Sequence, residues 1–217
     1  MITRAGRRLA KLRRTLSGDV ESPTTAWCLP SVYAACVNAF PGVVYDIGVG
    51  GYAAMAAANK HNTVVAFEGP ATRQFRSQRR GRVFVEPLLV SDRRGDHTVT
   101  LDFFDEERHP GRSTVLRVAA DAKEADVLRG AVRILKTHRP LVFCDVTAGT
   151  DAAAIERLRR QIRYFDIRLD DGVVEVGNDV DVDPDAPHHL LVPNEKLDRV
   201  LELVRSVAID VQWPVSQ

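Results

Sequence analysis

The sequence contains no run of about 18 consecutive apolar residues, so no segment of it is a candidate for a membrane-spanning helix. Its basic N-terminus is not followed by an uninterrupted apolar core, which argues against a secretory signal peptide. The three cysteines are an odd number without metal-type spacing, so we expect neither a disulfide framework nor a metal site. With 30 basic and 29 acidic residues the formal net charge is +1, and no nucleic-acid partner is expected. We therefore expect a soluble, cytoplasmic protein.

The length of 217 residues, with 45% hydrophobic and 27% charged, is typical of one globular domain with a short extension. We assign residues 26–217 to the domain and residues 1–25 to a basic amphipathic helix and linker. Residues 1–16 carry six basic and no acidic side chains, with apolar residues at helical spacing. Packing of this helix on the domain is the favoured interpretation. A weak contact with an anionic membrane surface or an acidic partner is the alternative.

Strand and helix patterns alternate along the rest of the chain. Helices are predicted over 26–40, 52–60, 70–80, 121–137, 151–163 and 194–207, and strands over 43–47, 63–67, 82–90, 97–104, 114–118, 140–146, 167–169, 173–176 and 190–192. Alternation of this kind predicts an α/β fold, with a doubly wound, mostly parallel sheet and helices on both faces.

A glycine turn follows the first strand of this pattern. Asp46 ends the strand, and Gly48, Gly50 and Gly51 precede the next helix, so a ligand can approach the backbone where the sheet's carboxyl edge is expected. Glu68 ends the second strand, where an acid accepts hydrogen bonds from ribose hydroxyls. The combination predicts a nucleoside-binding site. The alternative is a tight connection and a helix-capping acid that bind nothing.

The details of the turn favour S-adenosylmethionine over a dinucleotide. A dinucleotide turn has the spacing G-x-G-x-x-G and a small residue leading in, whereas here Asp46 leads in and the final spacing is absent. A nicotinamide-dependent oxidoreductase is therefore the least favoured of the functions considered.

Four stretches, in order and spacing, resemble the FkbM-type S-adenosylmethionine-dependent methyltransferases. They are residues 44–52 (VYDIGVGGY), 65–70 (VAFEGP), 87–92 (PLLVSD) and 116–131. The resemblance covers roughly residues 42 to 192. It implies a class I methyltransferase-like (Rossmann-like) fold, S-adenosylmethionine as cofactor, and O-methylation of a hydroxyl on a small molecule, sugar or glycolipid. It also adds Ser91 and Asp92 to the cofactor-binding residues.

The chain departs from the family pattern at several positions. The glycine turn is one residue short before Tyr52, Ala119 stands where the family has aspartate, and Ala122 stands where it has glycine. Arg117 keeps a positive charge at the family's lysine position. These departures support an alternative function, a catalytically degenerate relative that acts as a binding or scaffold module.

Methyl transfer to a hydroxyl needs a base for the acceptor proton. The candidate catalytic residues are Asp121, Glu124 and Asp145, which come from segments expected near the site. A helix-capping or surface role is the alternative for each carboxylate, most of all for Asp121. The neighbouring His188 and His189 are also considered, but the surrounding Asp- and Pro-rich stretch favours a surface loop for them. The resemblance implies a small molecule or glycan as the methyl acceptor, but these motifs do not indicate which one.

Overall fold

A computed structural model describes residues 28–48, 52–69, 83–170, 173–177, 179–207 and 210–212. The predicted helices over 1–16 and 70–80 lie outside these residues, as do the linker before residue 26 and two glycines of the turn, Gly50 and Gly51.

Eleven strands are present among the described residues: β1 (Val43–Gly48), β2 (Thr63–Phe67), β3 (Val83–Glu86), β4 (Leu89–Val90), β5 (Thr98–Val99), β6 (Ser113–Ala119), β7 (Leu141–Asp145), β8 (Tyr164–Asp170), β9 (Val173–Val176), β10 (His188–Pro193) and β11 (Asp210–Gln212). The helices are α1 (Cys28–Ala39), α2 (Tyr52–Ala57), α3 (Leu101–Arg108), α4 (Glu124–Arg129), α5 (Val132–Thr137), α6 (Ala152–Ile162) and α7 (Leu197–Val207). A 3₁₀ turn, Asn194–Lys196, precedes α7.

Nine strands form one sheet in the order β11-β9-β8-β10-β7-β6-β1-β2-β3. The five strands from β7 to β3 are parallel, whereas β10 is antiparallel to both of its neighbours, β7 and β8. The chain builds outward from β1 through β2 to β3 and then returns to β6, so the strand order reverses between β1 and β6. Ligands bind at such a switch point in open α/β sheets.

Successive strand residues point to opposite sides of the sheet, so both faces carry apolar residues, and helices cover both of them. On one face α1, α2 and α7 pack on Val44, Val115 and Phe143. On the other face α3 to α6 pack on Tyr45, Leu116 and Val142. The predicted doubly wound, mostly parallel Rossmann-like fold is confirmed.

The predicted strand over 97–104 is wrong. Only Thr98–Val99 is a strand, and a helix begins at Leu101 because the Thr100 side chain caps it by accepting a hydrogen bond from the Phe103 N–H at 3.3 Å. Local capping therefore overrides the β-branched and aromatic pattern.

The predicted helix over 121–137 is two helices, α4 and α5, separated at Gly130. A Cβ at this glycine would lie 2.0 Å from the Ser91 carbonyl oxygen, so the helix meets a neighbouring backbone there. Within the described part of the chain, no helix is both long enough and apolar enough to cross a membrane.

Candidate active site

Four charged or titratable side chains form a row across four adjacent strands, near the carboxyl edge of the parallel strands. They are Asp46 on β1, Arg117 on β6, Asp145 on β7 and His188 on β10. All four occupy the sheet face that α1 and α2 cover, because they alternate with residues of the opposite core. We call these four residues the charged row.

Arg117 is the centre of the charged row. Its Nη1 lies 3.5 Å from Asp46 Oδ1, and its Nη2 lies 3.7 Å from Asp145 Oδ2. The Arg117 side chain is only 8% exposed, so one buried cation is shared between two carboxylates. Burial raises the pKa of Asp46, and the opposing effects of Arg117 and of a hydrogen bond from the Ala53 N–H do not cancel that rise.

At the β10 end of the charged row, a carboxylate is hydrogen-bonded to an imidazole. Asp145 and His188 are directly paired residues of β7 and β10, and Asp145 Oδ1 lies 2.8 Å from His188 Nδ1. The predicted surface loop at His188 is therefore wrong, since this residue begins a strand. Because the ionised carboxylate only accepts hydrogen bonds, it selects the tautomer with the proton on Nδ1 and leaves Nε2 as an acceptor. The His188 side chain is 37% exposed, and no described residue is hydrogen-bonded to its Nε2.

His189 points to the opposite face and is part of the strand as well. Its Nδ1 lies 3.0 Å from both carboxylate oxygens of Asp166, and both side chains are fully buried. A surface role for His189 is thus excluded. The two neighbouring histidines differ because alternate strand residues face opposite layers.

Two tyrosines of the covering helices lie against the charged row. The Tyr52 ring at the start of α2 stacks 4.3 Å from the Arg117 guanidinium carbon, and Tyr33 of α1 meets Tyr52 edge-on at 4.9 Å. The Tyr33 hydroxyl is buried and has no hydrogen-bond partner among the described residues. Burial, then Asp46, raises the pKa of Tyr33, so its hydroxyl stays protonated and is a donor.

Glu68 follows β2 at the same edge of the sheet. Its backbone N–H continues the ladder to the Glu86 carbonyl at 3.1 Å, and its charge contributes to the raised pKa of Asp46. Glu68 Oε2 is buried and accepts no hydrogen bond from any described residue. Beside it, a Cβ at Gly69 would lie 2.6 Å from Leu89 Cδ2, and Leu89 itself is 46% exposed. An unpartnered acceptor therefore adjoins an exposed apolar side chain.

Gly48 has a structural requirement of its own. Its φ is 104°, and a Cβ there would lie 1.9 Å from the Ala119 carbonyl oxygen of the paired strand β6. Glycine is therefore needed at this position by the packing of β1 on β6, whatever the site binds.

Ser91 and Asp92, the other predicted cofactor-binding residues, follow β4. Asp92 forms ion pairs with Arg129 at 3.5 Å and Arg93 at 3.4 Å, and the Ser91 hydroxyl is 3.3 Å from Asp92 Oδ1. These contacts connect the segment to the end of α4. The contacts described for them do not include Asp46 or Glu68.

The two predicted catalytic carboxylates after β6 have different environments. Asp121 is exposed with φ 53°, and Lys123 occupies the N-cap position of α4 without a side-chain hydrogen bond, so the alternative in which Asp121 caps this helix is wrong. Glu124 is buried, and it accepts hydrogen bonds from the Ala120 N–H at 2.8 Å and the Thr150 hydroxyl at 3.0 Å. Glu124 thus joins the turns that follow β6 and β7.

Sequence patterns alone did not identify the charged row as a unit. At Arg117 the sequence indicates only a positive charge. Tyr52 and Leu89 fall within the stretches that carry the family resemblance but have no role assigned there, and Tyr33 lies outside all four stretches. The strand register that brings Asp145 opposite His188 depends on the antiparallel insertion of β10 between β7 and β8. No described group of three His, Cys, Asp or Glu side chains is placed to hold a metal ion.

Together the fold and the charged row define an α/β protein of the Rossmann-like class with a polar site at its switch point. No protein-family model matches this chain, and no curated protein sequence matches it. One solved structure with a similar chain is the methyltransferase FkbM from Methylobacillus flagellatus KT, with 13% sequence identity and a TM-score of 0.42. The similarity covers 68% of this chain and 43% of that one, so this chain spans less than half of that structure's length.

Proposed function

We propose that this protein is an S-adenosylmethionine-dependent methyltransferase that acts on a hydroxyl group of a small molecule or glycan. The observation that carries the proposal is the Glu68 carboxylate, which is partly buried at the end of β2, the neighbour of β1, and has an acceptor oxygen that no described residue satisfies. An unsatisfied buried carboxylate oxygen costs free energy, so a ligand donor there is favoured. The two hydroxyls of a ribose are donors of this kind.

The residues around Glu68 fit the rest of a nucleoside. Leu89 is exposed next to Gly69 and offers an apolar surface for a base. Asp46 and Gly48 end β1 at the switch point, where the backbone approaches the ligand. S-adenosylmethionine, when bound, supplies an electrophilic methyl group.

Asp145 and His188 fit the task of removing the acceptor proton. Asp145 accepts the hydrogen bond from Nδ1 of His188 and so holds the imidazole in one tautomer. Nε2 of His188 then takes the proton from the acceptor hydroxyl. Arg117 Nη2 lies 3.7 Å from Oδ2 of Asp145, so each oxygen of this carboxylate has a partner in the charged row. Of the three predicted catalytic carboxylates, Asp145 is therefore the one proposed to act, and it acts by positioning His188.

A catalytically inactive binding protein is the second candidate. It is favoured by Glu124, both of whose carboxylate oxygens are used in hydrogen bonds between loops, and by the exposed position of Asp121. The two candidates share the cofactor site and differ in turnover.

Titration calorimetry with S-adenosylmethionine and S-adenosylhomocysteine tests the proposal. We expect both to bind the wild-type protein, and Glu68→Gln to weaken binding by about 1 to 3 kcal/mol. Glu86→Gln, the same change at the end of the neighbouring strand β3, is the matched control and should leave affinity unchanged. Failure of the folded wild type to bind either compound would overturn the function.

Turnover separates the two candidates. Formation of S-adenosylhomocysteine in the presence of a panel of hydroxylated small molecules and glycans supports the enzyme. Binding of both compounds without turnover on any member of a broad panel supports the inactive binding protein.

A further inference from the structure

A pocket of about 460 Å³ lies at the opposite edge of the sheet from the charged row. It is formed where β1 and β6 begin and β10 ends, and its lining includes Phe40, Pro41, Arg112, Glu195, Lys196 and Arg199. We call it the basic pocket. Thr114 lines the pocket near the start of β6 and is three residues before Arg117 on the same strand, which corresponds to about 10 Å of extended chain. The basic pocket is therefore distinct from the candidate active site.

Positive charge in the basic pocket is not balanced by carboxylates. Arg112 donates to the His138 carbonyl through Nε and Nη2, both at 3.3 Å, and Arg199 Nη2 donates to the Ala39 carbonyl at 2.9 Å. Lys196 Nζ donates to the Arg139 carbonyl. No carboxylate of a described residue lies within ion-pair distance of Arg112, Lys196 or Arg199.

The acidic side chain that lines the basic pocket is already paired. Glu195 accepts hydrogen bonds from Arg139 Nε at 2.9 Å and Nη2 at 2.8 Å. Arg139 is therefore the ion-pair partner of the Glu195 carboxylate. Burial and the neighbouring Arg112 and Arg139 lower the pKa of Lys196 to about 8, whereas Glu195 opposes this shift.

The Phe40 ring contacts two of these cations. The Phe40 ring lies 4.7 Å from the Arg199 guanidinium carbon and 5.5 Å from Lys196 Nζ. Cation–π contacts and carbonyl hydrogen bonds restrict both side chains before a ligand arrives, which reduces the entropy lost on binding. Phe40 and Pro41 also give the basic pocket an apolar side.

We propose that the basic pocket binds a phosphate monoester, with the phosphate between Arg112, Lys196 and Arg199 and the organic group against Phe40 and Pro41. Each cation keeps N–H groups that are not used by its carbonyl contact, and a phosphate dianion accepts several such hydrogen bonds. A dianion also matches the surplus positive charge better than a neutral ligand does. The proposal is independent of the methyltransferase function.

Binding of phenyl phosphate and inorganic phosphate to the full chain, followed by NMR or calorimetry, tests the proposal. We expect phenyl phosphate to bind with a Kd of about 1 mM or tighter. Lys196→Gln and Arg199→Gln should each weaken it by roughly tenfold, because a charge-assisted hydrogen bond is lost. Arg157→Gln, which removes an exposed charge on α6, is the matched control and should have no effect. Arg199 is exposed, so its variant is informative even if Lys196→Gln fails to fold.

Vesicles of phosphatidylcholine with phosphatidic acid distinguish a soluble ligand from a lipid headgroup. Loss of phenyl phosphate binding in Lys196→Gln or Arg199→Gln, but not in Arg157→Gln, supports the proposal with a soluble ligand. The same dependence seen only with vesicles supports it with the headgroup as the phosphate source. No binding to either probe, or equal weakening in all three variants, would overturn it.

Discussion

Asp145 and His188 are directly opposite each other on antiparallel strands β7 and β10, and Asp145 Oδ1 lies 2.8 Å from His188 Nδ1. This pair connects through Arg117 to Asp46, so the charged row extends from β1 to the proposed base on β10. A carboxylate that orients an imidazole fixes which nitrogen is free. The fold thus places the His188 imidazole at the same sheet edge as the proposed cofactor site.

The first prediction concerns His188. In the methyltransfer assay, His188→Gln should lower kcat by roughly 10² to 10⁴, because general-base catalysis is lost, while affinity for S-adenosylmethionine stays the same. The pH–rate profile of the variant should lose the limb that depends on the base. His61→Gln, at an exposed turn after α2, is the control and should behave as wild type. An unchanged kcat in His188→Gln would exclude this residue as the base.

The second prediction concerns the buried cation of the charged row. Arg117→Met leaves Asp46 and Asp145 without their shared partner and should lower the free energy of unfolding by about 3 to 5 kcal/mol. Adding Asp46→Asn should recover part of this loss, since it removes one of the uncompensated buried charges. Urea denaturation measures both effects, with Arg157→Met as the surface control. Equal stability of Arg117→Met and wild type would contradict the role assigned to the charged row.

Much of the sheet was predictable because its strands are short apolar runs between clear turn signals. The bounds of β2 and β9 agree with the prediction, and β1 differs by one residue. Asp145 and Glu68 could be placed at the carboxyl edge for the same reason. Pairing between distant strands has no local signal, so the contact of His188 with Asp145 was not predictable from the sequence.

Close contacts between distant backbone segments also have no local signal in the sequence. The predicted 121–137 helix breaks at Gly130, where an added Cβ would meet the Ser91 carbonyl oxygen, and Ser91 is 39 residues earlier in the chain. Ala122 has φ 68°, a left-handed conformation that favours glycine, so an alanine at this position adds backbone strain.

The third prediction concerns Gly48. Gly48→Ala combines a φ of 104° with a Cβ placed 1.9 Å from the Ala119 carbonyl oxygen, so β1 or β6 has to shift. We expect a loss of about 2 to 4 kcal/mol in the free energy of unfolding. At Gly95 the nearest atom to an added Cβ is 3.8 Å away, and Gly95→Ala should change stability by no more than about 0.5 kcal/mol. Similar stability of the two variants in thermal unfolding would show that β1 and β6 are not packed this closely.

The last prediction is the acid dependence of stability at Glu156. Burial acts to raise the pKa of Glu156, but hydrogen bonds from Arg159, the Val180 N–H and Arg160 lower it from 4.5 to about 2. Because the pKa in the folded state lies below the unfolded value, these contacts stabilise the fold fully above pH 4.5, and the effect is lost as the pH falls towards 2.

Glu156→Gln should therefore lower the free energy of unfolding at pH 7 by about 1 to 2 kcal/mol, a value reduced for the solvent exposure of Arg160. The difference between wild type and Glu156→Gln should shrink steadily between pH 4.5 and pH 2 in urea titrations at fixed ionic strength. Glu107→Gln, at an exposed position of α3, should show little difference at any pH. A Glu156→Gln difference that stays constant through the acid range would mean that the Glu156 carboxylate has its ordinary pKa, because only a shifted group links proton uptake to unfolding in this way.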